Sequence, residues 1–478
     1  MIVSLLLLTA HAQEPGARAL SIEEALRQAQ ASSETIRIAE AQVGQADADK
    51  ITARSAYLPS VAGSVTYQRT FATEFDDLFS GFGAPAGVPT TVPTTGTPPT
   101  TVTTDTAPTG TGTSTATDGG DSGGGSLPFG QPNTWRAGFT VQQGIYGGGR
   151  AGALNRIAAA GGRSAEVGLE AARAQLALDT ASAYFDAALA DRLFEIATAS
   201  LSQAEAALRQ TELGEGVGRQ PEFDLLRAKV VVDNQRVAVI NARRQRDLAF
   251  QRLNQLLQLP IDTSLSLTTS IEGTDVSALA RQVVGPVLED TPRAPVRQLS
   301  ELADISRSSV ALARADALPS LGASANIGWV AYPEGALPFQ DTSWYSSISA
   351  TVALSVPLFN GGRLWGAYQK AVDAAAVSAA QLQQTTELAE LDARSTASGL
   401  EAAEAQWTAT DGVVEQAQRA YELAELRFDE GVSTQLELSD ARLQLEQALV
   451  NRARSARDLA VARIRVSLLA SLPLSTPF

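Results

Sequence analysis

Four short stretches of the chain alternate apolar and polar side chains, and long stretches of a different pattern follow them. A two-residue period puts every second side chain on the same face, which is typical of a β-strand with one apolar face. In the last stretch, Ile348 and Val352 oppose Ser349 and Thr351. The pattern predicts strands at about residues 60–70, 135–146, 320–331 and 344–358.

The stretches that follow the strands are rich in alanine and poor in proline, which favours long helices. The pattern predicts helices at about residues 151–211, 220–259, 364–428 and 435–470. Gly161 and Gly162 are expected to loosen the first of them locally. A seven-residue apolar spacing predicts coiled-coil seams, formed by Leu225, Val232 and Val239 in one helix and by Leu436, Leu443 and Val450 in another.

The chain contains this plan twice. A glycine-rich joint between strand and helix occurs at residues 144–150 and again at 356–363. Two further motifs recur, a Leu-Pro-Ser segment before a strand and a turn between two helices. The duplication predicts a repeat at residues 13–270 and a second at 271–478, each with the order strand, strand, long helix, helix.

Composition narrows the function. The net charge is −15 and no basic patch is visible, which argues against nucleic acid as a partner. Cysteine is absent and the only histidine is His11. Because residues 1–12 resemble a secretory signal that is removed, the usual zinc ligands and nucleophile–base pairs are excluded, and no cofactor or metal is expected.

A segment of unusual composition lies between the first two predicted strands. Residues 85–126 are rich in Thr, Pro, Gly and Ser and contain no Lys, Arg, aromatic residue, Leu or Ile. Such a segment cannot bury enough apolar surface to offset the entropy of ordering it. The sequence therefore predicts a mobile loop at about residues 73–133, which the resemblance described below implies to be extracellular.

The strands have features of membrane β-strands. They are about ten residues long, they have one apolar face, and aromatic residues lie near their ends. A half-buried sheet of a soluble domain is the alternative, but it needs an amphipathic helix on its apolar face, and the seams predict that the long helices pack against one another. Four strands cannot close a barrel, whereas three chains would supply twelve strands.

The doubled motifs, taken in order, resemble those of the TolC-like outer-membrane efflux proteins. The matching segments are residues 58–60 and 318–320, 145–150 and 358–363, and 215–222 and 430–437. The resemblance implies an α+β membrane protein, a homotrimer with a twelve-stranded β-barrel continued by a long periplasmic coiled-coil barrel. It implies a passive exit duct in the outer membrane of a Gram-negative bacterium. The implied partners are outer-membrane lipid, a periplasmic adaptor protein and an inner-membrane transporter.

The resemblance also implies a constriction at the helix tips. By position, its acidic residues are Glu437 and Asp440, with Glu222 and Asp224 as their counterparts in the first repeat. Thr434 and Glu437 also fit a helix-capping box, so a purely structural role stays open. Arg219 and Arg227 are candidates for ion pairs that latch the tip, and Gly216 and Gly431 are expected to have positive φ. The adaptor contact is assigned to the tip turns, at Gly214, Gly216, Gly218, Gly431, Ser433 and Thr434.

Two functions compete with the duct. One is a trimeric surface-display stalk with the Thr-rich loop as its functional end, although a stalk needs no repeated turn far from the membrane. The other is a carboxylate-based enzyme, but no carboxylate pair stands out from the helix surfaces, and no enzyme activity is predicted. The sequence does not separate drug efflux from protein secretion.

Overall fold

A computed structural model of the chain describes residues 18–71, 132–218, 220–272, 278, 281, 292–333, 335–338 and 343–475. The predicted signal at residues 1–12 and nearly all of the predicted loop at 73–133 lie outside these residues. The strands are β1 (Arg18–Leu20), β2 (Ser60–Arg69), β3 (Asn133–Gly147), β4 (Leu265–Leu267), β5 (Ser320–Ala331) and β6 (Trp344–Ser355). The helices are α1 (Ile22–Ser32), α2 (Glu34–Ser55), α3 (Arg150–Gly216), α4 (Glu222–Leu256), α5 (Ala294–Ala315), α6 (Arg363–Ala409), α7 (Val413–Asp429) and α8 (Gln435–Leu468).

Two compact units divide the chain. The sheet unit contains Tyr57–Tyr146 and Ser320–Ser355, and the helical unit contains the remainder. In the sheet unit, four strands lie in the order β2-β3-β5-β6. Both β2–β3 and β5–β6 are antiparallel, as expected for strands that follow one another.

The register of the sheet places apolar residues opposite apolar residues. Val61 faces Val141, and Tyr67 faces Trp135, whose ring centroid lies 5.1 Å away. Between β5 and β6 the same face carries the pairs Leu321–Leu354, Ala323–Val352 and Ile327–Ile348. The other face carries small and polar pairs such as Ser324–Thr351 and Asn326–Ser349. The faces therefore match those predicted from the alternation.

The apolar face of the sheet is exposed within one chain. Ile348 is 78% exposed, and Val65 and Val352 are each 69% exposed. These residues lie on the two outermost strands, β2 and β6, and neither strand has a second neighbour among the described residues. A sheet with bare apolar edges would aggregate in water unless another surface covered it.

One strand ends earlier than predicted. β6 stops at Ser355 instead of residue 358. Pro357 explains the difference, because proline has no N–H to donate to a neighbouring strand. β3 is longer than predicted and runs from Asn133 to Gly147, with its first residues paired to the end of β2.

The main core of the helical unit surrounds the middle of α3. Tyr184 and Phe185 are fully buried there, and each such aromatic side chain stabilises the fold by about 1.5–3 kcal/mol. The Tyr184 hydroxyl donates to the carbonyl of Leu20 at 3.0 Å and accepts from the N–H of Thr269 at 3.0 Å. These bonds hold the short parallel pair β1–β4, which the sequence analysis missed, against the core.

The expected loosening at Gly161–Gly162 is wrong, because α3 is one continuous helix of 67 residues. Gly162 instead makes room for a neighbouring helix. A Cβ at this position would collide with Cε of Lys50 from α2. The Lys50 ammonium lies 2.9 Å from Asp47 and 3.9 Å from Glu166.

The prediction of a single helix at residues 364–428 is also wrong. α6 ends at Ala409 and α7 begins at Val413, and Gly412 between them has a φ of 72°. Arg452 of α8 closes this break, since its guanidinium donates to the carbonyl of Trp407 at 3.2 Å and to the hydroxyl of Thr410 at 3.3 Å. Its Cζ also lies 3.2 Å from the centre of the Trp407 ring.

We expect Arg452→Met to destabilise the protein by about 1–2 kcal/mol, because it removes a cation–π contact with a half-shielded ring. Thermal unfolding would measure the loss, and Trp407 fluorescence would report the change at the break. Arg394→Met is the matched control, since Arg394 is 77% exposed and pairs only with Glu390 of its own helix. The control is expected to change stability by less than about 0.5 kcal/mol. Equal effects of the two substitutions would contradict this role of Arg452.

The predicted seam of α8 is displaced by two residues. Leu436 and Leu443 are 53% and 56% exposed, whereas Leu438 and Leu445 are buried at 6% and 4%. Both sets have the seven-residue spacing, so the spacing alone could not choose between them. In α4, Val232 of the predicted seam is buried at 1%, and a second apolar stripe is exposed at Phe223, Leu226, Val230, Val237 and Ile240.

Candidate functional site at the helix tips

The tip turn of the second repeat connects α7 to α8. Gly431 has the expected positive φ of 71°, and the N–H groups of Val432 and Ser433 both donate to the carbonyl of Arg427, at 2.8 and 3.1 Å. These bonds satisfy the carbonyl that the end of α7 leaves free. Thr434 then caps α8 by accepting from the N–H of Glu437 at 3.4 Å.

The tip turn of the first repeat has a different glycine in the left-handed conformation. Gly216 is the last residue of α3, and Gly218 has a φ of 74°. The expectation for Gly216 is therefore wrong, because the helix continues through it. Gly214 also lies near the turn, where a Cβ would come within 3.1 Å of the Gln220 side chain. Arg219 lies outside the described residues.

We expect Gly218→Ala to destabilise the first tip by about 1 kcal/mol, since an alanine with this φ is strained. Gly216→Ala is the matched control, because a Cβ there meets nothing within 4 Å and the backbone is helical. It should stabilise the end of α3 by about 0.5–1 kcal/mol. Amide hydrogen exchange at the tip would measure both changes. Faster amide exchange in Gly216→Ala, or no increase in exchange in Gly218→Ala, would contradict this assignment.

The four candidate acids differ in their surroundings. Glu437 is half exposed and its carboxylate lies 3.8 Å from the guanidinium of Arg427. Asp440 is exposed and accepts a hydrogen bond from the Gln444 amide at 2.8 Å. Glu222 and Asp224 lie in the first turn of α4, where the helix dipole favours acids. Asp440 therefore has an uncharged partner, whereas Glu437 has a cation nearby.

Arg427 and Arg442 were not singled out from the sequence, since a single arginine on a helix usually marks a solvated surface. Arg227 forms no ion pair in the described part of the chain, and its role in latching the tip stays a prediction. Arg442 is only 9% exposed, and its Nε has no hydrogen-bond partner among the residues that the structure describes. Burial lowers the pKa of Arg442, and the nearby Glu446 and Tyr421 oppose that shift.

A buried polar side chain joins the two tips. Gln435 is 3% exposed, and its amide can donate to the carbonyl of Asp224 at 2.9 Å and accept from the N–H of Ala228 at 3.2 Å. An apolar cluster lies beneath the turns and consists of Tyr421, Phe428, Leu438 and Leu445. Burial and a hydrogen bond to Glu425 raise the pKa of Tyr421, so its hydroxyl stays protonated as a donor. The apolar cluster and these hydrogen bonds therefore hold the tip turns, and the exposed acids on them, in a fixed position.

The described residues contain no group of His, Cys, Asp and Glu arranged to hold a metal ion. No helix in the described ranges is long and apolar enough to cross a membrane. An apolar-faced sheet, a duplicated plan and paired long helices with acidic tips are the features that the resemblance implied.

Comparison with known proteins identifies the family. The profile of the outer membrane efflux protein family matches residues 109–258 and 300–471, and the chain belongs to that family. The resemblance and the outer-membrane localisation predicted from the sequence are confirmed. The probable efflux pump outer membrane protein TtgC of Pseudomonas putida is 22% identical over 294 residues, which are 60% of this chain and 59% of TtgC. The match thus spans less than two thirds of that relative.

Solved structures share the fold. The CmeC outer membrane channel of Campylobacter jejuni aligns with a TM-score of 0.70 and 16% identity, over 95% of this chain and 87% of CmeC. The outer membrane protein VceC of Vibrio cholerae aligns with a TM-score of 0.67 and 17% identity, over 94% of this chain and 96% of VceC. These alignments cover both repeats and confirm the predicted fold class.

Proposed function

We propose that three copies of this chain form a passive exit duct in the outer membrane, within a tripartite efflux or secretion system. The observation that carries the proposal is that a single chain leaves apolar surface and strand edges uncovered. Among the residues that the structure describes, its sheet has two edge strands without an outer partner, and its apolar face is exposed. Open edges leave backbone groups unpaired in lipid, so only closure with other copies makes such a sheet stable there.

The helices also leave apolar side chains exposed in a single chain. α4 buries Val232 within the chain and exposes a second apolar stripe that begins at Phe223, while α8 buries Leu438 and exposes Leu436. A helix with two apolar stripes packs against two partners. The second partner is a helix of a neighbouring copy, which would make a tube of paired helices. This arrangement supports a homotrimer over a single chain.

The tips are the proposed contact with a periplasmic adaptor protein, through which an inner-membrane transporter delivers cargo. Val217 and Val432 occupy corresponding positions in the two tip turns, and they are 71% and 70% exposed. Leu213 nearby is 74% exposed. Exposed apolar side chains at repeated turns favour docking of a partner. The surface-stalk alternative gives them no role, and the family is one of efflux channels rather than enzymes.

Single-channel recording of the purified protein in a planar bilayer tests the proposal. We expect a native mass of three chains and a discrete, cation-selective conductance, since exposed acids surround the tips. Divalent cations added at the tip side should block the current. A folded trimer that conducts no ions would overturn the duct and favour the stalk.

A further inference from the structure

Two joints connect the strands to the long helices, and their backbones are nearly the same. The last three residues of each joint, which lead into the helix, are Gly148–Arg150 in the first joint and Gly361–Arg363 in the second. The paired glycines have φ values of 61° and 91° in the first joint and of 58° and 85° in the second. A segment that fits one joint therefore fits the other.

The first joint is occupied within the chain by the end of α5. A Cβ at Gly148 would lie 2.8 Å from Cβ of Leu318 and 2.9 Å from the carbonyl oxygen of Ala315. Arg150 forms an ion pair with Asp316, the residue that ends α5. Glycine is needed at position 148 for both its φ and this close approach.

The second joint is bare. No atom of the described residues lies within 4 Å of the position that a Cβ on Gly361 would take. Arg363 forms no ion pair in the described ranges. Around it, Leu358, Phe359 and Trp365 are 92%, 86% and 71% exposed. Large apolar side chains in such a group indicate a surface that is covered in the working protein.

The internal repeat identifies what covers it. The segment seated on the first joint is part of residues 313–320, and its repeat is residues 53–60 at the end of α2. Ala56 ends α2 with φ −61° and ψ −16°, and Asp316 ends α5 with φ −66° and ψ −19°. The two helix ends thus have the same shape. Leu58, the counterpart of Leu318, is 64% exposed.

We infer that the second joint of each copy seats the end of α2 from a neighbouring copy, with Leu58 against Gly361 and Ala56 near Arg363. This inference rests on the proposed assembly and names its contact. The sheet order agrees, since β3 before the first joint lies beside β5 after α5. Seating the second joint in the same way places β6, which precedes that joint, beside β2 of the neighbouring copy, which follows that copy's α2. Lipid and an adaptor protein are the other possible occupants.

Cross-linking tests the contact. The chain has no cysteine, so Ala56→Cys with Arg363→Cys creates the only thiols in the protein. A short bismaleimide should join them between copies and give covalent dimers and trimers on a denaturing gel. Arg150→Cys with Asp316→Cys is the matched control, which should react within one chain and remain monomeric. Each single-cysteine variant should also remain monomeric.

Monomers from the Ala56/Arg363 variant would overturn the inference if native mass still shows a trimer and both thiols accept a monofunctional maleimide. That outcome would mean that lipid or the adaptor protein covers the second joint, and it would not contradict the proposed duct. A channel that is not a trimer would overturn the assembly itself.

Ala56→Asp offers an independent test, because it restores the carboxylate that Asp316 supplies at the first joint. Trimer dissociation in detergent should slow by about two- to fivefold for each contact, as for an exposed ion pair. The gain should disappear when Arg363→Ala is added. An unchanged dissociation rate would count against the contact.

Discussion

Replacing Asp440 by asparagine is expected to reduce the cation selectivity of the channel and to weaken its block by divalent cations several-fold. Of the two acids at the start of α8, Glu437 has Arg427 at 3.8 Å, while Asp440 accepts a hydrogen bond from the uncharged Gln444 amide at 2.8 Å. Among the residues that the structure describes, Asp440 forms no ion pair. Three-fold symmetry would place three such carboxylates around one axis, where they attract cations.

Asparagine keeps the size of Asp440 and can still hydrogen-bond to Gln444, so the substitution removes the charge and little else. Reversal potentials under a salt gradient would measure selectivity, and titration with a divalent cation would measure the block. Asp233→Asn is the control, since Asp233 is a 71% exposed acid on α4, about three turns beyond Glu222, and its charge is paired with Arg236 at 3.1 Å. Unchanged selectivity in Asp440→Asn would move the acidic constriction to another residue, with Glu437 as the next to replace.

The faces of the sheet could be predicted because a strand has a fixed two-residue period. Val61 and Ile348 lie on apolar faces whatever their neighbours are. The order of the strands could not be predicted, since the contact between β3 and β5 joins the two repeats and leaves no mark in either. Three-residue strands such as β1 are too short to show any period.

The break between α6 and α7 could have been predicted from a difference in length between the two repeats, although the apolar pattern favours one continuous helix. Arg150 precedes Glu215 by 65 residues, and Arg363 precedes Glu430 by 67, so the second repeat contains two more residues in the same span. Two extra residues turn a helix by about half a revolution and displace its apolar face. The chain ends one helix and starts another at Gly412 instead.

At the tips, the resemblance and position along the chain proposed the acids and the cations Arg219 and Arg227, but not Arg427, which lies near Glu437. Glu437 could be named because the resemblance implies an acid just after the second tip turn, with Glu222 as its counterpart in the first repeat. Arg427 could not, because its distance from Glu437 depends on how α7 and α8 pack. Arg442 was missed for the same reason, since its burial and its proximity to Tyr421 depend on how α8 packs against α7. Residues that act through a helix–helix contact need the contact itself to be seen.

Removal of Arg293 is expected to cause a large loss of stability in the helical unit. Arg293 precedes α5, and its guanidinium donates to Leu469 O at 3.0 Å, Ala389 O at 2.9 Å and the Asp392 carboxylate at 2.8 Å. Both members of the ion pair are only 12% exposed. Arg293→Met would leave Asp392 buried without its cation, at a cost of about 3 kcal/mol.

The loss should depend on pH in a defined direction. Burial alone would raise the pKa of Asp392, but hydrogen bonds from Ser475 and Arg293 and the charges of Arg293 and Arg465 lower it overall. A carboxyl whose folded pKa is lowered stabilises the fold above its unfolded pKa of about 3.9, and loses that effect as the pH falls through the folded value. In Arg293→Met the cation is gone, so the difference from wild type should be greatest near neutral pH and shrink on acidification.

Thermal unfolding at several pH values would measure this dependence. Arg307→Met is the matched control on the same helix, because Arg307 is 68% exposed and its pair with Asp304 should contribute less than about 1 kcal/mol. Adding Asp392→Leu to Arg293→Met should recover part of the loss, since the unpaired buried charge is then removed as well. A pH-independent loss, or no recovery in the double variant, would mean that Arg293 acts through its carbonyl contacts alone.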